Sequence, residues 1–122
     1  MKQVLRIFLP MLAALTLGAQ TAPLKTTDVL VSLTVKPGIT RDQIQKVMPQ
    51  EVRDTVRLYL AGTIRQWYSR SDGKGVVFIL DCKDVAEARS VMEKLPLAKE
   101  NLVDYDYTAL TPLSPLGILL TQ

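Results

Sequence analysis

The feature that most constrains this chain is a hairpin signature in its middle. Ser71-Asp72-Gly73-Lys74 separates two β-rich runs, Thr63–Arg70 and Gly75–Cys82. Asp-Gly between such runs favours a tight turn that reverses the chain and pairs its flanks. A period-two segment and then a helical one precede the hairpin, and a helical segment and then a period-two one follow it. Asp28–Lys36 alternates, with Val29, Val31, Leu33 and Val35 on one face and Leu30, Ser32, Thr34 and Lys36 on the other. Pro37-Gly38 ends it. Leu102–Leu110 alternates in the same way, Val103, Tyr105, Tyr107 and Ala109 against Asp104, Asp106 and Thr108.

The helical segments carry their own start and stop signals. Thr40 and Gln43 form a capping box before an apolar stripe of Ile44, Val47 and Met48. Pro49 lacks an N–H and clashes with the preceding turn, so the pattern predicts a strong kink or a split there. The second piece would bury Val52, Val56, Tyr59 and Leu60 and end at Gly62. Asp84 and Glu87 form the box of the second helix, whose stripe is Val85, Ala88, Val91, Met92 and Leu95, and Pro96 stops it.

The order βαββαβ is that of the ferredoxin-like α+β fold, a four-stranded antiparallel sheet with two helices on one face. A chain of 122 residues is long enough for one such domain. The first and third strands are the most apolar, which suits the two central positions of this topology. Two helices cover one face only, so the other face meets solvent or another chain. The apolar third strand favours a second copy, giving a homodimer or a larger homo-oligomer.

Residues 1–19 read as a secretion signal: Lys2 and Arg6, an apolar run from Ile7 to Leu17, then Gly18 and Ala19 at the cut. Cleavage after Ala22 and a retained anchoring helix are the alternatives. The run is short for a membrane span, which needs about 20 residues. The reading is thus an exported protein, periplasmic or secreted, with a leader at 20–27, a domain at 28–114 and an apolar tail at 115–122. That tail is hydrophobic enough to pack on its own domain, on a neighbour, or on a membrane protein.

Export would change the charge balance. The chain has 15 Lys and Arg against 12 Asp and Glu. Loss of Lys2 and Arg6 leaves 13 against 12, so the pI near 9.1 says little about partners. Arg53, Arg57, Arg65, Arg70 and Lys74 alternate with Glu51, Asp54 and Asp72 instead of forming a basic stripe, which argues against nucleic acid. The chain has no histidine, which removes His-based triads, His-ligated haem and the usual zinc sites. Cys82 is the one cysteine and sits in an apolar run, as a small core residue would. No phosphate loop, calcium loop or metal-ligand spacing is present, so no cofactor and no metal is expected.

Gly62-Thr63-Ile64-Arg65-Gln66-Trp67, Leu95-Pro96-Leu97 and Thr111-Pro112-Leu113, set in the βα start and the last strand, resemble the muconolactone isomerase family of the dimeric α+β barrel superfamily. The resemblance covers roughly residues 28–114. It implies small subunits, barrel-like dimers or larger rings, and a pocket for a small organic acid or lactone. The matching motifs are structural, and no catalytic residue is carried over from them.

Candidate chemistry comes from the strands. Lactone or enol isomerisation needs a base beside a carbonyl and a donor for the developing oxyanion. Asp104 and Asp106 share a face and can raise one another's pKa toward a useful range, or else simply face solvent while Tyr105 and Tyr107 face the core. In the second strand, Arg65 and Trp67 are expected on one face and Gln66, Tyr68 and Arg70 on the other. An Arg beside an aromatic ring can hold a carboxylate in a fork; the same residues also suit an edge strand that deters aggregation. Ser32 and Thr34 can add hydrogen bonds. The expected function is an exported isomerase-like protein binding a small acid or lactone, the alternative a non-catalytic periplasmic binding or assembly module of the same fold.

Overall fold

The computed structural model describes residues 25–113. The stretches read above as a signal (1–19), as most of the leader and as the apolar tail lie outside them. The elements are β1 (Asp28–Val35), α1 (Arg41–Leu60), β2 (Ile64–Ser69), β3 (Val76–Leu80), α2 (Val85–Met92), α3 (Pro96–Lys99) and β4 (Val103–Leu110). The strands form one antiparallel sheet in the order β2-β3-β1-β4. β1 and β3 are central, as their composition predicts.

Alternation sorts the strands into two faces. Val29, Val31 and Leu33 of β1 lie opposite Leu80, Phe78 and Val76 of β3 and opposite Ala109, Tyr107 and Tyr105 of β4. This face packs under the helices, and Val29, Val31 and Leu80 are fully buried. Each such side chain contributes on the order of 2 kcal/mol by leaving water. Ala88, Met92 and Leu95 close the core from the α2 side. The opposite face carries Leu30, Ser32, Thr34, Val77 and Ile79, half-buried and, among the described residues, with no helix above them.

The helix ends follow the sequence signals. Thr40 Oγ1 accepts the Gln43 N–H and Gln43 Oε1 accepts the Thr40 N–H, at 3.3 and 2.8 Å. At the other end, Gly62 (φ 84°) turns the chain so that its N–H meets the Tyr59 carbonyl and the Thr63 N–H meets that of Leu58, a Schellman closure. Asp84 accepts the Glu87 N–H at 2.8 Å.

Two expectations are corrected. The first helix is not split: Arg41–Leu60 runs as one α-helix with Pro49 inside it. The reason lies in its inward positions, the half-buried Ile44, Met48 and Leu58 and the buried Glu51 and Thr55, which recur every three or four residues through the proline and dock on the core. Packing of that single stripe outweighs one missing hydrogen bond. The stripe assigned to the second piece is not buried as expected: Val52 is 49 % and Leu60 77 % exposed, and Tyr59 reaches the sheet only by stacking on Trp67. The second helix stops ahead of Pro96 as expected, at Met92, and Pro96 itself opens the short α3 at its first turn, where an absent N–H costs nothing.

Two stability changes follow. Pro49 is exposed on a continuous helix, so Pro49→Ala should raise stability by about 1–3 kcal/mol in urea titrations, by restoring the bond to residue 45 and removing the ring clash. Gly75 (φ 155°) is pressed against β1, and a Cβ there would lie 1.9 Å from the Leu33 carbonyl oxygen. Gly75→Ala should therefore cost more than about 2 kcal/mol, while Gly73→Ala, with nothing near its Cβ position, pays only for its positive φ, about 1 kcal/mol.

Candidate functional site

Between α1 and the helix-covered face of the sheet lies a cavity of about 740 Å³. Its floor is Leu33, Val76, Phe78 and Trp67 from three strands, and its roof is Met48 and Val52 from α1. Leu97 of α3 and Val103 of β4 close one end. The β2–β3 hairpin forms the rim and brings Arg70 and Lys74 to it. The size and the mostly apolar lining with a few polar groups match small-molecule sites.

Each part is held by local chemistry. Trp67 stacks on Tyr59 of α1 with ring centroids 5.3 Å apart and meets Phe78 at 6.5 Å, which fixes the indole over the floor. In the hairpin the Arg70 N–H meets the Gly75 carbonyl at 2.9 Å. Asp72 accepts the Lys74 N–H at 2.9 Å and pairs with Arg70 Nη2 at 2.6 Å. The Lys74 N–H first, and then Arg70, hold the Asp72 carboxyl below its usual range. A guanidinium presents five N–H donors, so one ion pair leaves Arg70 able to meet a second anion.

Inside the cavity sits Glu51, only 5 % exposed. Its Oε1 accepts the Leu97 N–H at 2.9 Å, tying α1 to the first turn of α3. Thr55 gives its hydroxyl to the Glu51 carbonyl at 2.5 Å and stands 3.5 Å from Oε2. Burial raises the pKa of this carboxyl; the bonds from Leu97 and Thr55 oppose the shift without cancelling it, and Asp54 adds to it. Tyr105 and Tyr107 hold buried hydroxyls with no partner among the described residues. Burial first, then the charge of Glu51, pushes the Tyr105 phenol up. Arg89 lies over the Tyr107 ring at 4.7 Å.

The residues singled out from sequence divide between the two faces. Trp67, Arg70 and, at the edge, Thr34 line the cavity. Asp104 and Asp106 do share a face, but it is the open one, where they pair in register with Thr34 and Ser32. Asp104 is 62 % exposed and lies 3.8 Å from Lys36 Nζ. Tyr68, opposite Val77, is on that open face too. Arg65 departs from its expected side. A β-bulge between Ile64 and Gln66 leaves it without a partner in β3 and turns it away from Trp67. Its guanidinium meets Asp28 at 2.7 Å and Asp81 at 3.1 Å, so it staples strand ends together and is not part of the cavity. Cys82 is buried, and burial, helped by Glu87, Asp81 and Asp84, pushes its thiol up to about 11. It is a core residue.

No protein-family model matches the chain, and no curated protein matches it. The site therefore stands on its geometry alone.

Sequence reading missed Glu51 because it fell among alternating surface charges. The signal was present: Glu51 and Thr55 continue the spacing of Ile44 and Met48, which puts two polar residues on the buried face. The raised pKa sets a pH dependence. The folded state holds the Glu51 proton more tightly than the unfolded chain does. That contribution is complete below the ordinary Glu range and lost as pH rises through the raised value. Urea midpoints of wild type and Glu51→Gln should therefore diverge over that window in favour of the variant, and run parallel above and below it.

Proposed function

We propose that the protein binds a small organic acid or lactone in the cavity under α1, with the apolar body on Trp67 and Phe78 and the acidic group at Arg70 and Lys74. The observation that carries this reading is the combination of an apolar cavity with two cationic side chains on its rim. Apolar burial supplies affinity, and a guanidinium fork with a neighbouring ammonium selects the anion. The resemblance to the muconolactone isomerase family points to the same class of ligand.

Binding without turnover is the favoured form of this reading. Asp104 and Asp106 project from the face opposite the cavity, so neither can reach a ligand held there. The one carboxyl inside is Glu51, which already accepts the Leu97 N–H. A proton-transfer isomerisation would have to run through it.

The open face suits self-association. Leu30, Val77, Ile79 and Tyr68 make an apolar centre, and Asp104 and Asp106 lie toward one side. Packing two such sheets together would give the dimeric barrel that the resemblance implies, in an exported setting if residues 1–19 direct secretion. Among the described residues no helix is long and apolar enough to cross a membrane.

Trp67 is the chain's one tryptophan and lines the cavity, which makes it a reporter. Titration with small aryl and alkyl carboxylates should change its fluorescence saturably. Arg70→Ala combined with Lys74→Ala should weaken binding at least about tenfold, the loss of one or two charge-assisted hydrogen bonds. Unchanged affinity in the double variant would overturn the proposed orientation.

A further inference from the structure

We infer that the ligand of this cavity carries two polar ends: an anionic group for Arg70 and Lys74 at the rim, and a hydrogen-bond donor, a hydroxyl above all, for Glu51 at the buried end. This rests on the cavity reading and narrows it to hydroxylated organic acids with an apolar, preferably aromatic, middle.

The argument turns on the two oxygens of one carboxylate. An ionised carboxylate accepts at both oxygens and donates at neither. Oε1 of Glu51 is satisfied by the Leu97 N–H at 2.9 Å. Oε2 has only the Thr55 hydroxyl, at 3.5 Å, and that hydroxyl's single proton is directed at the Glu51 carbonyl, at 2.5 Å. Tyr105, whose phenol feels the charge of Glu51, leaves its own hydroxyl unpartnered among the described residues and gives Oε2 no hydrogen bond. A carboxylate oxygen 5 % exposed as part of its residue, lining an apolar cavity, is therefore short of a donor. Leaving such a group unpaired is costly, and a ligand donor that meets it recovers that cost on binding.

The same geometry sets what is refused. A ligand that offers Oε2 only an ether or carbonyl oxygen places two acceptors together in a low-dielectric site. Sites built to hydrogen-bond a hydroxyl discriminate strongly against analogues that lack it. At the rim, the hairpin cations act as a second anchor, so the two ends also fix the ligand's direction.

The test compares 3-(4-hydroxyphenyl)propionate with its 4-methoxy analogue by isothermal titration calorimetry at about pH 8, far above the ordinary carboxylate range. Wild type should bind the hydroxyl compound at least about tenfold more tightly. In Glu51→Gln, which keeps an acceptor for Leu97 and nearly the same volume, an amide donor replaces Oε2 and the two ligands should bind within about threefold of each other. Arg70→Ala should weaken both by a similar factor and leave their ratio intact. Equal affinities in wild type would overturn the inference while leaving the cavity reading standing. A preference that persists unchanged in Glu51→Gln would also overturn it, because steric exclusion of the methyl group would then be the cause. Binding of neither compound would remove the cavity reading and this inference with it.

Discussion

The fold depends on β1 being paired on both sides. It meets β4 along its whole length, from Asp28 opposite Leu110 to Val35 opposite Val103, and meets β3 from Val29 to Leu33. A strand so placed has no free edge, and its alternate side chains divide the molecule into a covered and an uncovered half. Val29, Val31 and Leu33 gather the helices on one side. Among the described residues the helices are α1, α2 and the short α3, and none of them lies over the other side. Everything with chemical potential in this chain is sorted by which of those two sides it falls on.

Much of this was legible in the sequence, and the reasons differ from element to element. The strands were readable because Asp28–Val35 and Val103–Leu110 alternate cleanly, and the hairpin because Asp72-Gly73 needs a backbone that few other residues adopt at low cost. The caps were readable because Thr40 and Gln43 satisfy one another at fixed spacing. What was not legible depended on the partners of a residue and not on its neighbours in the chain. Pro49 reads as a breaker locally, yet tertiary packing of the stripe on either side carries the helix through it. Glu51 reads as a surface charge until Leu97, far along the chain, supplies the hydrogen bond that makes burial tolerable. Arg65 reads as a neighbour of Trp67 until a bulge, which has no distinct signature here, turns it to Asp28 and Asp81.

The candidate site shows how one residue type can play opposite parts. Asp104 and Asp106 sit in water, where charge is cheap and chemistry undirected. Glu51 sits among Met48, Phe78 and Leu97, where its charge is opposed by burial and sustained by one backbone N–H and a nearby hydroxyl. That balance makes it responsive to whatever else enters the cavity. The rim is of a different kind, since its cations belong to a turn whose conformation is set by Asp72 and by the close approach of Gly75 to β1.

Pro49 has a mechanical consequence. Having no N–H, it leaves the carbonyl four residues earlier, that of Gln45, without its helical donor. The defect falls beside Met48 and two residues before Glu51, within the stretch of α1 that roofs the cavity. The part of α1 over the cavity is thus held less by its own hydrogen bonds than by what it packs on, while its two ends, at Thr40 and Gly62, are closed by caps.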